Sequence, residues 1–329
     1  MSICAYKTVI ITGVSGQDGS YLSEILLEKR YKVIGIKRRT STRGDWRIKH
    51  LYSNPNFMIE SGDITDLGSI QRIVSKWNPD EFYNLAAMSF VGASWNEPQH
   101  TFNVNACGVI NCLEALRIIK PDCKFYQAST SELFGKVKEM PQSELTTFYP
   151  RSPYAIAKCA AYWSVVNYRE SYDMFACNGI LFNHESPRRG LEFVTRKITD
   201  AAARIKLGLQ EKLGLGNIDS RRDWGHARDY MKAAYLMMQH EEPDDFVIAT
   251  GTTHSIRDLL SIAFGELDLD WADYVYQDDR YWRPAEVDVL LGDSSKARRI
   301  LGWEPEYDFE RLIKEMVEVD FQKVKRAAK

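Results

Sequence analysis

Residues 8–19 decide the fold of this chain, and they read TVIITGVSGQDG. A run of β-branched residues, typical of a buried strand, passes directly into a Gly-x-x-Gly-x-x-Gly turn. Apolar residues then recur at helical spacing through residues 20–30. Glycines in such a turn let the backbone approach a phosphate, and the following helix supplies free N–H groups at its positive end. Strand, turn and helix together predict a dinucleotide-binding fold.

Strand and helix patterns alternate through the first half of the chain. Short apolar runs predict strands, at 8–12, 32–36, 57–60, 81–86, 124–128 and within 174–182. Helical spacing predicts helices between these strands, near 67–77, 97–120 and 153–170, whereas after about residue 184 helices dominate, near 194–208, 226–239, 255–265 and 308–326. This alternation is typical of an α/β, Rossmann-type doubly wound parallel sheet. We therefore predict a Rossmann domain at 1–183 and a smaller, mostly helical C-terminal substrate lobe at 184–329. Segments near 220–235 and 245–250 are candidates to return to the first domain.

Composition excludes several classes of partner. The 43 Lys and Arg residues are balanced by 45 Asp and Glu residues, so the formal net charge is −2, without the basic excess of nucleic-acid proteins. No apolar run approaches the roughly 18–20 residues that cross a bilayer, so we expect no membrane partner. The six cysteines form no C-x-x-C pair, and the N-terminus lacks a signal-peptide pattern. We expect reduced thiols and a cytoplasmic protein.

The end of the second predicted strand indicates which dinucleotide binds. NAD favours an acidic residue about 20 residues beyond the glycines. Here that place holds Lys37, Arg38 and Arg39. A guanidinium pairs well with a 2′-phosphate, whereas the alternative is a solvated basic turn. We predict NADP, with Arg38 as a ligand.

The remaining cofactor positions follow from the turn and the strand ends. Asp63 and Ile64 follow the third strand, where the adenine would lie, and small residues end the fourth strand. Ordinary strand ends are the alternative for both segments. The predicted contacts of the turn and of the fourth strand are Gly13, Ser15, Gly16, Gln17, Asp18, Leu85, Ala86 and Ala87.

Tyr154 and Lys158 lie four residues apart in a predicted helix, so their side chains share one face. A nearby ammonium is expected to lower the pKa of the phenol and make it a usable base. Thr130 and Glu132 follow the fifth strand. The hydroxyl can bond an oxygen that is being oxidised, and the carboxylate adds the second acid–base group that an elimination requires. A capping role is the alternative for Glu132.

With these motifs the sequence resembles the extended short-chain dehydrogenases/reductases, and within them the GDP-mannose 4,6-dehydratase family. The resemblance runs from Val9 to about Phe321. The motifs that carry it are GQDGS at 16–20, STSELFG at 129–135, FYPRSPY at 148–154, LFNHESPRRG at 181–190, RDWGH at 222–226 and RPAEV at 283–287.

The resemblance implies removal of water from GDP-D-mannose by intramolecular hydride transfer through tightly bound NADP. Tyr154 would deprotonate the C4 hydroxyl, Thr130 would bond that oxygen, and Glu132 would remove the C5 proton. Hydride would leave C4 and return at C6, giving GDP-4-keto-6-deoxy-D-mannose. Lys158 would complete the catalytic set.

The resemblance also implies further contacts. His184 and Arg189, together with Tyr154 and Lys158, match positions that contact the cofactor. The matching substrate positions are Ser89, Asn183, Thr195, Lys197, Arg222, Arg283 and Glu286. Surface ion pairs are the alternative for Arg222 and Arg283. No metal is expected, since no second histidine lies at ligand spacing from His184.

The resemblance also implies that this protein forms a homodimer or a homotetramer. The segment 40–46, TSTRGDW, departs from the family pattern, which puts the tetrameric contact in question, and Trp282 stands where Tyr is common. Three alternatives stay open: a dehydratase of a related sugar such as GDP-manno-heptose, a net NADPH-dependent reductase or epimerase, and a noncatalytic dinucleotide-sensing or scaffold protein. Glu132 argues against the second, and the complete catalytic set argues against the third.

Overall fold

The computed structural model describes residues 6–41, 44–278, 280 and 289–328. Its strands are β1 (Thr8–Thr12), β2 (Lys32–Lys37), β3 (Phe57–Ser61), β4 (Glu81–Asn84), β5 (Lys124–Ala128), β6 (Ala176–Leu181), β7 (Asn183–Glu185), β8 (Leu213–Leu215), β9 (Arg221–His226), β10 (Phe246–Ile248), β11 (Thr253–Ser255) and β12 (Val275–Gln277). Its α-helices are α1 (Gln17–Glu28), α2 (Leu67–Trp77), α3 (Val91–Ser94), α4 (Pro98–Phe102), α5 (Gly108–Ile119), α6 (Pro153–Tyr172), α7 (Val194–Lys206), α8 (Ala227–Gln239), α9 (Ile256–Gly265), α10 (Ser295–Leu301) and α11 (Phe309–Ala327).

A seven-stranded parallel sheet forms the centre of the protein, in the order β10-β6-β5-β4-β1-β2-β3. Strand order reverses between β1 and β4, which opens a crevice at their carboxyl ends. Ligands bind at such a switch point in doubly wound sheets. The predicted Rossmann-type fold class is confirmed.

The strands are apolar on both faces because helices cover both faces of the sheet. Val9 and Ile11 point into a core shared with α1 and α8, whereas Ile10 and Ile34 point into a core shared with α2 and α5. Alternate residues of one strand therefore serve two cores.

The C-terminal part builds a lobe beside the carboxyl ends of the sheet. The lobe contains the small sheets β11-β9-β7 and β12-β8, and its core lies among α7, α9 and α11. The chain nevertheless returns to the first sheet, because β10 forms its edge strand and α8 packs on α1. A division at residue 183 stays a prediction.

The segment predicted as one helix at 97–120 consists of three pieces. A π-helical turn, Asn103–Cys107, separates α4 from α5. This turn brings the amide of Asn105 onto the backbone of Met88, where Oδ1 accepts from Met88 N at 2.8 Å and Nδ2 donates to Met88 O at 3.0 Å. The loop that follows β4 is fixed by these two bonds.

The helical run Pro98–Ile119 reaches a mean hydropathy of 1.2 and is long and apolar enough to span a bilayer by length and composition alone. The expectation that no such run exists is therefore wrong. A single helix of this kind is weak evidence for a membrane span, since 44% of the apolar window is buried inside the protein. Its inner face packs against α2 and α6, which accounts for much of its apolar character.

Candidate active site

The glycine-rich turn sits against the end of β4. Gly13 has a φ of +65°, and a Cβ there would lie 2.9 Å from backbone atoms of both Leu85 and Ala86. A Cβ on Gly19 would lie 2.5 Å from the Gly13 carbonyl oxygen. The turn can therefore approach β4, and α1 can approach the turn, only without side chains at these positions. This is the backbone cradle that a dinucleotide phosphate requires.

A line of buried hydrogen bonds connects this turn to the predicted catalytic lysine. Thr12 Oγ1 donates to Asn84 Oδ1 at 2.6 Å, and Asn84 Nδ2 donates to Gln127 Oε1 at 2.8 Å. Gln127 Nε2 and Lys158 Nζ then donate to one carbonyl, that of Ala128, at 2.9 and 2.8 Å. The strand ends of β1, β4 and β5 are thus joined to α6.

Tyr154 and Lys158 are both buried and share one face of α6, as the spacing predicts. The predicted effect of the lysine on the tyrosine is wrong for the free protein. Burial raises the pKa of Tyr154 to about 12, and burial lowers the pKa of Lys158 to about 8. The lysine is directed at the Ala128 carbonyl, and its Nζ lies 5.9 Å from the centre of the phenol ring.

Thr130 and Glu132 lie on the short helical turn after β5. Thr130 Oγ1 accepts from Glu132 N at 3.2 Å and also contacts the Tyr154 hydroxyl, which lowers the pKa of the phenol. The charge of Glu132 acts in the opposite direction and raises it. The cap of this turn is Thr130, not Glu132, and within the described ranges the Glu132 carboxylate forms no hydrogen bond or ion pair. Threonine, glutamate and tyrosine therefore form one cluster.

Asp18 and His184 join the glycine-rich turn to the start of the lobe. His184 Nε2 lies 3.0 Å from Asp18 Oδ2, and Gln17 Nε2 donates to the His184 carbonyl at 3.1 Å. Ser186 Oγ donates to Gln17 Oε1 at 2.8 Å. Burial alone would raise the pKa of Asp18, but the charge of His184 lowers it overall. Burial alone would lower the pKa of His184, but Asp18 raises it overall.

The other predicted cofactor positions surround the same crevice. Arg38 is exposed directly after β2, and Asp63 follows β3, where Oδ1 accepts from Thr65 N at 2.9 Å. Ile64 is buried, whereas Leu85, Ala86 and Ala87 are half-buried after β4. The structure adds Arg47, whose Nη1 donates to the Ser15 carbonyl at 3.4 Å. Sequence reasoning missed Arg47, because a bond to a backbone carbonyl leaves no motif.

The predicted substrate positions are less uniform. Asn183 Oδ1 is buried and has no hydrogen-bond partner among the described residues, as a ligand-binding atom would. Thr195 is fully buried and donates to Glu185 Oε2 at 2.6 Å, while Lys197 Nζ donates to the Gly214 carbonyl at 2.7 Å. Ser89 is exposed, and Arg222 Nη1 donates to the Arg221 carbonyl at 2.8 Å. Arg283, Glu286 and Trp282 lie outside the described residues. The substrate roles of all these residues stay predictions.

Tyr154, Lys158 and Thr130 at the carboxyl end of a doubly wound sheet define the class as a short-chain dehydrogenase/reductase. The crystal structure of a dTDP-glucose 4,6-dehydratase from Streptomyces venezuelae, with NAD bound, is similar in fold. Its TM-score is 0.86 at 22% sequence identity, over 98% of each chain.

Sequence comparison narrows the class. The sequence model described as GDP-mannose 4,6 dehydratase matches residues 10–316. GDP-mannose 4,6 dehydratase 2 of Arabidopsis thaliana is 53% identical over 97% of this chain and 88% of its own. GDP-mannose 4,6-dehydratase of Yersinia enterocolitica is 50% identical over 98% of this chain and 96% of its own. The chain belongs to the GDP-mannose 4,6-dehydratase family.

The Asp18–His184 pair predicts a pH-dependent contribution to stability. A raised histidine pKa stabilises the fold below the ordinary value of 6.5 and loses this effect as pH rises through the raised value. A lowered aspartate pKa stabilises above 3.8 and loses this effect as pH falls through the lowered value. The pair should therefore stabilise most between 3.8 and 6.5.

We expect Asp18→Asn to lower the pKa of His184, since burial remains while the carboxylate is lost. The measurement is an NMR titration of the His184 ring in the free protein. The exposed His50, whose Nε2 lies 2.6 Å from Glu24 Oε1 and not near Asp18, serves as the internal control. An unchanged His184 titration would contradict the assigned pairing.

Proposed function

We propose that this protein removes water from GDP-D-mannose to give GDP-4-keto-6-deoxy-D-mannose. The observation that carries the proposal is the carboxylate of Glu132, which has no partner among the described residues and lies in the cluster of Thr130 and Tyr154. Oxidation of an alcohol requires one base, whereas elimination requires a second acid–base group. Family membership over nearly the whole chain supports the same reaction.

The crevice fits a nicotinamide dinucleotide, because Gly13 and Gly19 let the glycine-rich turn pack directly against the end of β4 and against α1, at the point where the strand order reverses. The glycine-rich turn and Asp18 would hold its phosphates and ribose, while Tyr154 and Lys158 would lie near its reactive end. When bound, the oxidised nicotinamide supplies a hydride acceptor and a positive charge that favours an ionised phenol. His184 and Arg189 are the further cofactor contacts that the resemblance implies.

The protein's own groups account for the proton movements. Tyr154 would take the proton of the C4 hydroxyl, and Thr130 would donate a hydrogen bond to that oxygen. The positive charge of Arg189 assists, because it lowers the pKa of Tyr154. Burial keeps water from the phenol, so a proton moves between defined partners. The bond from Lys158 Nζ to the Ala128 carbonyl, at 2.8 Å, keeps the ammonium in a fixed place in the crevice.

Glu132 performs the second half of the reaction. A 4-keto group acidifies the neighbouring C5 proton, and the Glu132 carboxylate would remove it. The same proton would then be delivered to the departing C6 hydroxyl, so that water leaves and the carboxylate is restored. Return of the hydride to C6, together with transfer of the proton held by Tyr154 to C5, would give the 4-keto-6-deoxy sugar and restore the phenolate. One group can serve as both base and acid because the two steps follow each other at adjacent carbons.

Glu132→Gln should keep the fold and cofactor binding but lose dehydration by at least about 100-fold, the lower range for one acid–base group. The measurement is mass detection of the 18-dalton loss from GDP-mannose. GDP-manno-heptose, offered in parallel, tests the main alternative substrate. Turnover near that of the wild type in the variant would refute the assignment, and net consumption of NADPH by the wild type would favour a reductase.

We propose NADP as the preferred cofactor. The support is the run Lys37, Arg38 and Arg39 at the end of β2, with Arg38 and Arg39 exposed beside the crevice. NADPH should bind at least about tenfold tighter than NADH, because NADH lacks the phosphate that an arginine can pair with. Arg38→Met should reduce this ratio in a fluorescence titration, whereas Arg257→Met on α9 should preserve it. Equal wild-type affinities would contradict the preference.

We propose a homodimer formed through α5 and α6. These adjacent helices expose large apolar side chains on one face: Ile110 and Ile118 on α5, and Ile156 and Trp163 on α6. Such a two-helix face is self-complementary, since a second copy related by two-fold symmetry presents the same helices. A tetramer would need a further contact. The segment 40–46, which departs from the family pattern, is where that contact would differ from the one in relatives.

Trp163→Glu should shift the protein toward the monomer, because two carboxylates would be buried across a two-fold interface. Light scattering after size exclusion measures the mass directly. Leu145→Glu, at a side chain 94% exposed on a separate loop, is the matched control. A wild-type monomer would overturn the proposed dimer.

We also propose a cytoplasmic location. Cys107, Cys112, Cys123, Cys159 and Cys177 are free thiols. Free thiols persist in reducing compartments.

A further inference from the structure

Three consecutive backbone carbonyls at the start of the lobe are held by two arginines. Arg196 Nη1 donates to the carbonyls of Pro187 and Arg189, at 2.7 and 2.9 Å. Arg47 Nε donates to the carbonyl between them, that of Arg188, at 2.6 Å. We call residues 187–189 the arginine-held turn. The position of its backbone depends on Arg196 of α7 and on Arg47, which lies between β2 and β3.

Arg196 is itself held deep in the lobe. Its Nε donates to Asp320 Oδ2 on α11 at 2.7 Å, and Thr199 Oγ1 donates to the same oxygen at 2.6 Å. Arg196 is 1% exposed and Asp320 is 0% exposed. Apolar residues would join two helices at less cost in desolvation, so helix packing alone does not explain a buried ion pair. The further bonds of the guanidinium go to the arginine-held turn.

The side chains of this turn contact both sides of the crevice. Arg188 Nη1 donates to Ser20 Oγ at 3.0 Å, and its Nη2 lies 2.7 Å from Glu24 Oε1, both on α1. Arg189 Nε lies 3.1 Å from Glu185 Oε2, and its guanidinium lies 3.5 Å from the centre of the Phe193 ring. The turn therefore connects the helix that follows the glycine-rich turn with the start of α7.

Arg189 is also the cation of this turn that acts on the reacting groups. Its charge lowers the pKa of both Tyr154 and Asp18. The other groups that act on Tyr154 lie on other elements: Thr130 and Glu132 after β5, and Asp18 on α1. A displacement of residues 187–189 would therefore change one contribution to Tyr154 and leave the others in place.

We propose that Arg196, paired with Asp320, is a positioning residue that fixes the arginine-held turn and thereby keeps the Arg189 guanidinium in its place on Glu185 and Phe193. The buried ion pair between Arg196 and Asp320 would thus couple the C-terminal helix, α11, to the cofactor crevice. It rests on the proposed function for its kinetic readout alone, because cofactor binding can be measured without turnover.

Arg196→Lys is the direct test. A lysine can pair with Asp320 but cannot also reach two carbonyls, so the turn would loosen while the charge pair survives. We expect kcat/KM to fall roughly 100-fold, the effect of a displacement of about 1 Å near reacting groups. The acidic limb of the kcat/KM pH profile should move to higher pH, since Tyr154 loses the influence of Arg189. NADPH, titrated through its own fluorescence, should bind about tenfold more weakly, because Arg188 would no longer be held against Ser20 and Glu24 of α1.

Thr199→Val is the matched control, because it removes a hydrogen bond to Asp320 without touching the turn. Its unfolding midpoint should fall, while its pH profile and NADPH affinity should match those of the wild type. The proposal is overturned if Arg196→Lys loses stability as Thr199→Val does but keeps the wild-type limb and affinity.

Arg47→Met provides a second variant on a half-buried side chain, in case Arg196→Lys does not fold. It removes the bond to the Arg188 carbonyl, together with the longer bond to the Ser15 carbonyl, and should move the acidic limb in the same direction by a smaller amount. An unmoved limb in folded Arg47→Met would likewise overturn the proposal. Failure of the wild type to dehydrate GDP-mannose would instead refute the proposed function, and the NADPH titration would still test the positioning role.

Discussion

The carbonyl of Ala128 is the point on which the geometry of the crevice depends. It accepts from Lys158 and from Gln127, and Gln127 continues through Asn84 to Thr12. These bonds lie in a low-dielectric interior, where an unpaired polar group is costly and a complete chain of bonds is rigid. The ammonium therefore has one position relative to three strand ends, and the glycine-rich turn, packed on β4, shares that frame.

Burial sets the protonation states of the site before any ligand arrives. The pKa of Tyr154 is raised to about 12 and that of Lys158 is lowered to about 8, both chiefly because the charged forms lose solvation. The site is thus poised with a neutral phenol, and added positive charge is what makes the phenol a base.

The features foreseen from sequence were those with a local signature. Gly13 and Gly19 predict a close approach of the backbone, and the β-branched run at 8–12 predicts a central strand. The spacing of Tyr154 and Lys158 predicts a shared helix face. Pairing of β8 with β12 was not foreseeable, because two three-residue strands about 60 residues apart carry almost no periodicity. The direction of the Tyr154 pKa shift was missed because burial depth is a tertiary property. Arg47 was missed because its partners are backbone carbonyls, which every residue has. Arg196 was missed because its carboxylate partner, Asp320, is remote in sequence and its other partners are carbonyls.

The two bonds between Asn105 and Met88 have a consequence for divergence within the family. The asparagine amide pairs with the N–H and the C=O of one residue, as a neighbouring strand would. These bonds hold the loop after β4 through its backbone and do not depend on its side chains. The backbone at Met88 therefore keeps its course when the side chains of this loop change. A lineage that adapts to a new sugar can alter this edge of the crevice and leave the rest of the fold unchanged.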